Sequence, residues 1–260
     1  MPLPARLLLL LVLGLAIGTA RAERITVAAA ADLKFAMDEI VAAFQRQHPA
    51  DEVTAIYGSS GKFYTQLQQG APYDLFFSAD ITYPRELAKA GLAGSPVQAY
   101  ATGRLVLWSP TPDVVRRGLT GLLDAAVTRI AIANPRHAPY GRRAEEALKA
   151  AGVWSQVQGK LVLGENIAQT AQIVQTGNAQ AGLIALSLAL SPELTRSGQH
   201  QLLPAALHAP LEQAFVVTQK GAAQPAALRF AAFMGTAAAS AVLARWGFEP
   251  PTAAAVRRTQ

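Results

Sequence analysis

The chain has 260 residues, no cysteine and a formal net charge of +6, and 51% of its residues are apolar. The lack of cysteine excludes a disulfide framework, thiolate metal sites and a lipid-attachment cysteine. Its 23 Lys and Arg residues are scattered, and no basic stretch alternates with aromatic residues. The composition therefore argues against nucleic-acid binding, despite the basic balance.

The N-terminus has the pattern of a secretory signal peptide. Arg6 precedes an apolar run over residues 7–17, and Ala20-Arg21-Ala22 is typical of a cleavage site. The run is shorter than the ~20 residues that a membrane-spanning helix needs. We therefore expect export to the periplasm, with residues 1–22 removed by cleavage after about Ala22.

Beyond that segment, strand-like apolar runs alternate with runs of helical periodicity. This alternation predicts an α/β fold with largely parallel sheets, and a change of pattern after residue 101 predicts two lobes. Asp32 is predicted to cap the first helix. The predicted strands cover residues 24–30, 53–57, 74–78, 105–108, 129–133, 161–163, 181–186 and 211–218.

Four predicted strand-to-helix turns, two in each lobe, suggest an anion site. The first N–H groups of a helix have no internal acceptor and lie at the positive end of its dipole, so several converging helix ends hold an anion without Lys or Arg. The alternative is ordinary capping, which Asp, Ser and Asn perform in proteins that bind nothing there. The turns are Ala31-Asp32, Ser59-Ser60-Gly61, Pro139-Tyr140-Gly141 and Asn166-Ile167.

Patterns of catalytic and metal sites do not match. The segment GSSG over residues 58–61 differs from G-x-S-x-G, and no His and acid pair is identifiable beside it. Phe63 stands where a P-loop carries Ser or Thr. The four histidines have no metal-ligand spacing. We predict no catalytic residue, no direct metal ligand and no cofactor.

Six segments spread over nearly the whole chain after residue 22 form a recognisable set: VAAAADL (27–33), YGSSGKFYTQL (57–67), GAPYDLFFSAD (70–80), ANPRHAPYG (133–141), GENIAQT (164–170) and RWGFE (245–249). Together they resemble the substrate-binding proteins of molybdate ABC importers. The resemblance implies a type II periplasmic-binding-protein fold: two α/β lobes joined by hinge strands, with lobe I over 23–101 plus 217–260 and lobe II over 102–216. It also implies a monomer that captures molybdate or tungstate and delivers it to the membrane permease of an ABC importer.

The same resemblance implies which residues hold the anion. Ser60 matches a serine that donates through its hydroxyl and its backbone, with Ser59 beside it. Ile167 matches a residue that donates its backbone N–H. Ala31 and Asp32 are further backbone candidates.

Two positions depart from the pattern. Asp32 stands where many relatives have Ser, and we expect its carboxylate to turn away from the ligand and accept from the N–H of Lys34 or Phe35; the competing hypothesis is direct ligation of the metal centre. Ala185 stands where many relatives have a tyrosine that reaches the anion. We expect the Tyr140 hydroxyl to replace it, the alternative being a tyrosine packed between the lobes.

Other functions stay open from the sequence. Sulfate or phosphate are alternative oxyanions. A different class is a periplasmic hydrolase that uses Ser59 or Ser60, and a third is a sensor subunit that passes the closed state to a receptor.

Overall fold

A computed structural model of the protein describes residues 23–253 and 255. The expected signal peptide lies outside the described residues. The chain alternates strands and helices as predicted, but the prediction of largely parallel sheets is wrong, because half of the strand pairings are antiparallel. In chain order the elements are β1 (Glu23–Ala30), a 3-10 helix (Ala31–Leu33), α1 (Lys34–Gln47), β2 (Asp51–Gly58), α2 (Ser60–Gln68), β3 (Leu75–Ser78), α3 (Thr82–Lys89), β4 (Gln98–Gly103), β5 (Leu105–Ser109), α4 (Pro112–Arg116), a 3-10 helix (Gly118–Leu123), β6 (Ile130–Ala133), α5 (Pro139–Ala150), α6 (Trp154–Val157), a 3-10 helix (Gln158–Lys160), β7 (Leu161–Gly164), α7 (Ile167–Gln175), β8 (Ala181–Ala185), α8 (Leu186–Ala189), α9 (Pro192–Ser197), β9 (Gln199–Leu202), a 3-10 helix (Ala205–Leu207), β10 (Leu211–Val217), α10 (Gln219–Ala222), α11 (Pro225–Met234) and α12 (Ala237–Arg245).

The first sheet has the strand order β2-β1-β3-β10-β4. β1 runs parallel to β2 and β3, whereas β10 is antiparallel to β3 and β4. Side chains of β1 alternate between two cores, because successive residues of a strand point to opposite faces. Ile25 and Val27 pack with α1, α11 and α12, and Ala28 packs with α2 and α3. Helices therefore cover both faces of this sheet.

The second sheet has the order β7-β6-β8-β5-β9. β6 is parallel to β7 and β8, while β5 is antiparallel to β8 and β9. Its central strands are fully apolar and buried on both faces, as expected for a sheet between two helix layers. A single large core surrounds it.

The chain crosses between the sheets at Arg104, between β4 and β5, and again over residues 203–210, between β9 and β10. All of Leu211–Val217 pairs within the first sheet, so by sheet membership it belongs to lobe I. The sequence-based boundaries, 102–216 for lobe II, place most of this strand in the other lobe. An apolar strand pattern predicts a strand but not the sheet that it joins. Hydrogen bonding to β3 and β4 places this strand in the first sheet.

Within residues 23–253, no single helix is long and apolar enough to cross a membrane. The consecutive helices α11 and α12 meet that length and composition only together, and they are bent by 62°. In the same described range, no group of three or more His, Asp or Glu side chains is placed to hold a metal ion.

Candidate functional site

The four predicted turns meet at one small cavity between the lobes. They lie at the carboxyl ends of β1, β2, β6 and β7, where open α/β sheets place their ligands. All six predicted ligand-binding residues border the cavity, and the lining described by the structure contains no Lys, Arg or His. The lining residues are Ala30, Ala31, Asp32, Gly58, Ser59, Ser60, Ala79, Ala138, Pro139, Tyr140 and Ile167.

Lobe II presents two helix N-termini to this cavity. In α7 the side chain of the N-cap residue Asn166 accepts from the N–H of Gln169 at 2.9 Å. The cap therefore does not use the N–H of Ile167, which as the first N–H of the helix has no acceptor within the helix. In α5 the first backbone bond is from the N–H of Gly141 to the carbonyl of Ala138 (3.0 Å), followed by the bond from the N–H of Arg142 to the same carbonyl (3.2 Å). The N–H of Tyr140 therefore also precedes the first bond of its helix.

Lobe I contributes the N-terminus of α2 and the turn after β1. The Ser60 hydroxyl oxygen accepts from the N–H of Ala79 at 3.0 Å, which fixes its position and leaves its own hydrogen to donate. Ser59 is the N-cap residue of α2, but its hydroxyl contacts His137 Nδ1 at 2.9 Å instead of the helix. The short 3-10 helix brings the backbone of Ala31 and Asp32 to the same cavity.

The prediction that Asp32 caps α1 is wrong. Leu33 occupies the N-cap position, and no side chain accepts from the start of that helix. Asp32 Oδ2 instead accepts from the Gln213 amide nitrogen at 2.5 Å, and the Gln213 amide oxygen accepts from the Tyr100 hydroxyl at 2.5 Å. The turn after β1 is 3-10, so it points the Asp32 side chain toward β10 and β4 rather than along α1.

Asp32 is fully buried, and its environment disfavours a charge. Burial raises the pKa of Asp32 to about 6, against the hydrogen bond from Gln213 that lowers it. A carboxylate about 4 Å from an anion would be repelled by ~4 kcal/mol per unit charge at an effective dielectric of ~20. The protonation state of Asp32 therefore matters for any anion in this cavity.

The Tyr140 hydroxyl is engaged in the same buried network. It accepts from the Gln213 amide nitrogen at 3.4 Å and lies against Gly103 of β4. Burial and then the neighbouring Asp32 raise its pKa well above the usual range, so the phenol stays neutral. This matches the alternative interpretation of a tyrosine packed between the lobes, which leaves the backbone N–H as its link to the cavity.

The two lobes contact each other around the cavity. The N–H of Gly61 donates to the carbonyl of His137 at 2.9 Å, and the Ser187 hydroxyl donates to the carbonyl of Asp32 at 2.7 Å. Arg142 pairs with Asp80 at 2.6 Å. The sequence analysis did not identify these interlobe contacts, although His137 lies within the recognised ANPRHAPYG segment.

A serine–histidine contact is also present at the rim. His137 Nε2 lies 4.0 Å from a Glu165 carboxylate oxygen, beyond hydrogen-bond distance, and Glu165 forms an ion pair with Lys62. Burial, and then the charge of Lys62, lowers the pKa of His137. The Ser59–His137 pair therefore lacks a well-placed acid to orient the imidazole as in a hydrolase triad.

Two α/β lobes that enclose a small cavity lined by helix N-termini define a binding protein of the type II periplasmic class. A model of the family described as bacterial extracellular solute-binding protein matches residues 25–249. The molybdate-binding protein ModA of Azotobacter vinelandii is 36% identical over 94% of this chain and 97% of its own length. ModA of Rhodobacter capsulatus is 37% identical over 92% and 93%.

The solved structure of the Azotobacter vinelandii periplasmic molybdate-binding protein superposes with a TM-score of 0.82, at 31% identity over 88% of this chain and all of that one. The sulfate-binding protein SubI of Mycobacterium tuberculosis shares the fold alone, at 17% identity and a TM-score of 0.73 over 91% and 90% of the two chains. The chain belongs to the bacterial extracellular solute-binding proteins, in the group that contains ModA.

Proposed function

We propose that this protein captures molybdate or tungstate between its lobes and releases it to the permease of an ABC importer. The observation that carries the proposal is the small cavity between the lobes, whose wall brings together helix N-termini from both lobes and contains no cationic side chain within the described chain. Such a wall suits an oxyanion held by neutral donors. The molybdate-binding relatives give the oxyanion its identity.

The donors are sufficient for tight binding. A hydrogen bond to a charged group contributes about 1.5–3 kcal/mol, so the N–H groups of Ala31, Asp32, Ser60, Tyr140 and Ile167, with the Ser60 hydroxyl, support a Kd between micromolar and nanomolar after association costs. These groups bind the oxygens of the anion and leave the metal's own coordination unchanged. Direct ligation by Asp32 is less well supported, because a ligating carboxylate must be deprotonated and burial of Asp32 raises its pKa.

Delivery follows from closure. An anion that bridges donors on both lobes favours the closed form, which a permease can distinguish from the empty form. We infer export through the signal peptide, with cleavage after about Ala22, and a monomer in the periplasm.

Calorimetric titration tests the proposal with molybdate, tungstate, sulfate and phosphate on the chain that begins at Glu23. We expect submicromolar binding of the first two and weak or undetectable binding of the others. Preferential binding of sulfate or phosphate would assign another oxyanion, and no heat with any of the four would reject the oxyanion function.

The Ser59–His137 contact is the one observation that favours a hydrolase. That function requires turnover of an ester or phosphate ester that disappears in Ser59→Ala. We expect no turnover by the wild type. We also expect a folded Ser59→Ala protein to bind molybdate, with an affinity only slightly lower than wild type because the contact between Ser59 and His137 is lost.

A further inference from the structure

One oxygen of the Asp32 carboxyl group has no role in the contacts described so far. Asp32 Oδ1 is buried and has no hydrogen-bond partner among the described residues, although the residue borders the cavity. A buried carboxylate oxygen without a partner is costly, because it has lost its hydration and gained nothing in return. A structure tolerates it when the oxygen carries a proton or meets a donor or acceptor that arrives with a ligand.

The neighbouring groups decide which oxygen holds the proton. A tyrosine hydroxyl donates to the Gln213 amide oxygen, so the amide nitrogen must face Asp32 and donate to Oδ2. Oδ2 is therefore the accepting oxygen. Oδ1 is the oxygen left to carry a hydrogen, and as a carboxylic acid it becomes a donor rather than a repelling charge.

We propose that Asp32 binds the oxyanion as the neutral carboxylic acid, donating a hydrogen bond from Oδ1, so that each ligand is taken up together with one proton. This inference rests on the proposed oxyanion function and specifies how the site accepts a dianion beside an acidic residue. Asp32 then adds a donor to the backbone N–H groups, and it has no part in ligating the metal.

The titratable groups around Asp32 do not offer another source of charge compensation. The side chains that face it are Tyr100 from β4, Gln213 from β10 and Tyr140 from α5, with the Ser187 hydroxyl of α8 on its carbonyl. Both tyrosines have pKa values raised well above the usual range by burial, so neither supplies a charge. On the other side of the cavity, His137 contacts the Ser59 hydroxyl at 2.9 Å and does not itself line the cavity.

The direction of the pH dependence follows from this arrangement. Burial raises the pKa of Asp32 to about 6 without ligand, and an added dianion raises it further. If only the acid form binds tightly, the apparent Kd increases about tenfold for each pH unit above 6 and is nearly constant below 5. We expect molybdate to bind about 100-fold more weakly at pH 8 than at pH 5.

The test compares the wild type with Asp32→Asn, which has nearly the same shape as the neutral acid and keeps an oxygen for Gln213. Calorimetric titration with sodium molybdate at pH 5, 6, 7 and 8 should show a steep rise in Kd for the wild type and a flat series for Asp32→Asn. The ligand's own protonation affects both proteins alike. At pH 8 the variant should bind about 100-fold more tightly than the wild type.

Two further variants isolate the group responsible. Asp38→Asn removes an exposed carboxylate on α1, 52% exposed and away from the cavity lining, and should keep the wild-type pH dependence. His137→Gln removes the imidazole that contacts Ser59 beside the cavity and should also keep the wild-type pH dependence. If the molybdate Kd of His137→Gln does not change with pH while that of Asp32→Asn keeps the wild-type pH dependence, the proton belongs to His137 and the proposal is overturned.

Proton uptake provides a measurement on the wild type alone, independent of how any variant folds. Titrations at pH 7 in buffers of different ionisation enthalpy should report about 0.9 proton taken up per molybdate, from a free pKa near 6. Binding with no uptake and no pH dependence would overturn the role of Asp32 while leaving the oxyanion function in place. Failure to bind at every pH would overturn both.

Discussion

Gly61 offers a way to separate closure of the lobes from their folding. It is buried in the first turn of α2 in lobe I, and a Cβ atom there would lie 2.6 Å from the His137 carbonyl oxygen and 3.0 Å from the His137 Cα in lobe II. Both contacts are with backbone, which cannot rotate away. Gly61→Ala therefore forces the closed lobes apart and stretches the 2.9 Å bond from Gly61 to His137.

The expected cost of this overpacking is ~1–3 kcal/mol in the closed form. This corresponds to a molybdate Kd about 5-fold to 150-fold higher, mostly through faster dissociation. The open form avoids the clash with lobe II. Within lobe I the atom nearest to the new methyl group is the Tyr83 hydroxyl oxygen at 2.8 Å, the end of a movable side chain, and alanine favours the helix by about 0.5–1 kcal/mol.

Calorimetry gives the affinity, displacement kinetics give the dissociation rate, and a ligand-free thermal scan reports folding. Gly159→Ala is the matched control, because a Cβ atom at Gly159 meets nothing within 4 Å and its affinity should be unchanged. Wild-type affinity in a folded Gly61→Ala protein would refute the inference that ligand binding brings the lobes to this distance.

Four further outcomes are expected. Molybdate and tungstate should bind more tightly than sulfate in competition calorimetry, because a smaller anion does not reach fixed donors on both lobes; equal Kd values would contradict this. Molybdate at about 100 Kd should add ~2.7 kcal/mol of stability and raise Tm by roughly 5–11 °C in a thermal scan. Tyr140→Phe should keep its molybdate Kd within about twofold of wild type, since the phenolic hydroxyl contacts Gln213. A loss of about 1.5 kcal/mol or more in binding free energy, the value of one hydrogen bond to a charged group, would instead show that the hydroxyl binds the ligand. The raised pKa of Asp32 gives a contribution to folding stability that is fully present below pH 4 and is lost as pH rises through about 6. In ligand-free urea unfolding, the unfolding free energy of Asp32→Asn should therefore rise relative to wild type by up to about 3 kcal/mol between pH 4 and pH 8.

Two strands were not predicted, and each was missed for a local reason. β9, Gln199–Leu202, is mostly polar because it lies at the edge of its sheet, so it lacks the apolar run that identifies the central strands. β4, Gln98–Gly103, is a hinge strand whose outer residues are exposed or half-buried. Only pairing with β5 in one case and β10 in the other makes these segments strands.

The sequence by itself determined most of the local structure and the turns that border the cavity between the lobes. Apolar runs of period two and helical periodicity identified most strands and helices, and Ser, Asn and Pro at helix starts identified the four turns that border the cavity. These signals are local, since they depend on residues within one or two helical turns of each other.

The tertiary structure alone decided which side chains Asp32 and Tyr140 contact. Asp32 meets Gln213, which lies 181 residues later in the chain, and Tyr140 meets the same amide 73 residues away. From the sequence, a helix cap and a ligand donor were the reasonable local interpretations of these two side chains. Their actual partners come together only when β10 returns to the first sheet between β3 and β4, which no local pattern encodes.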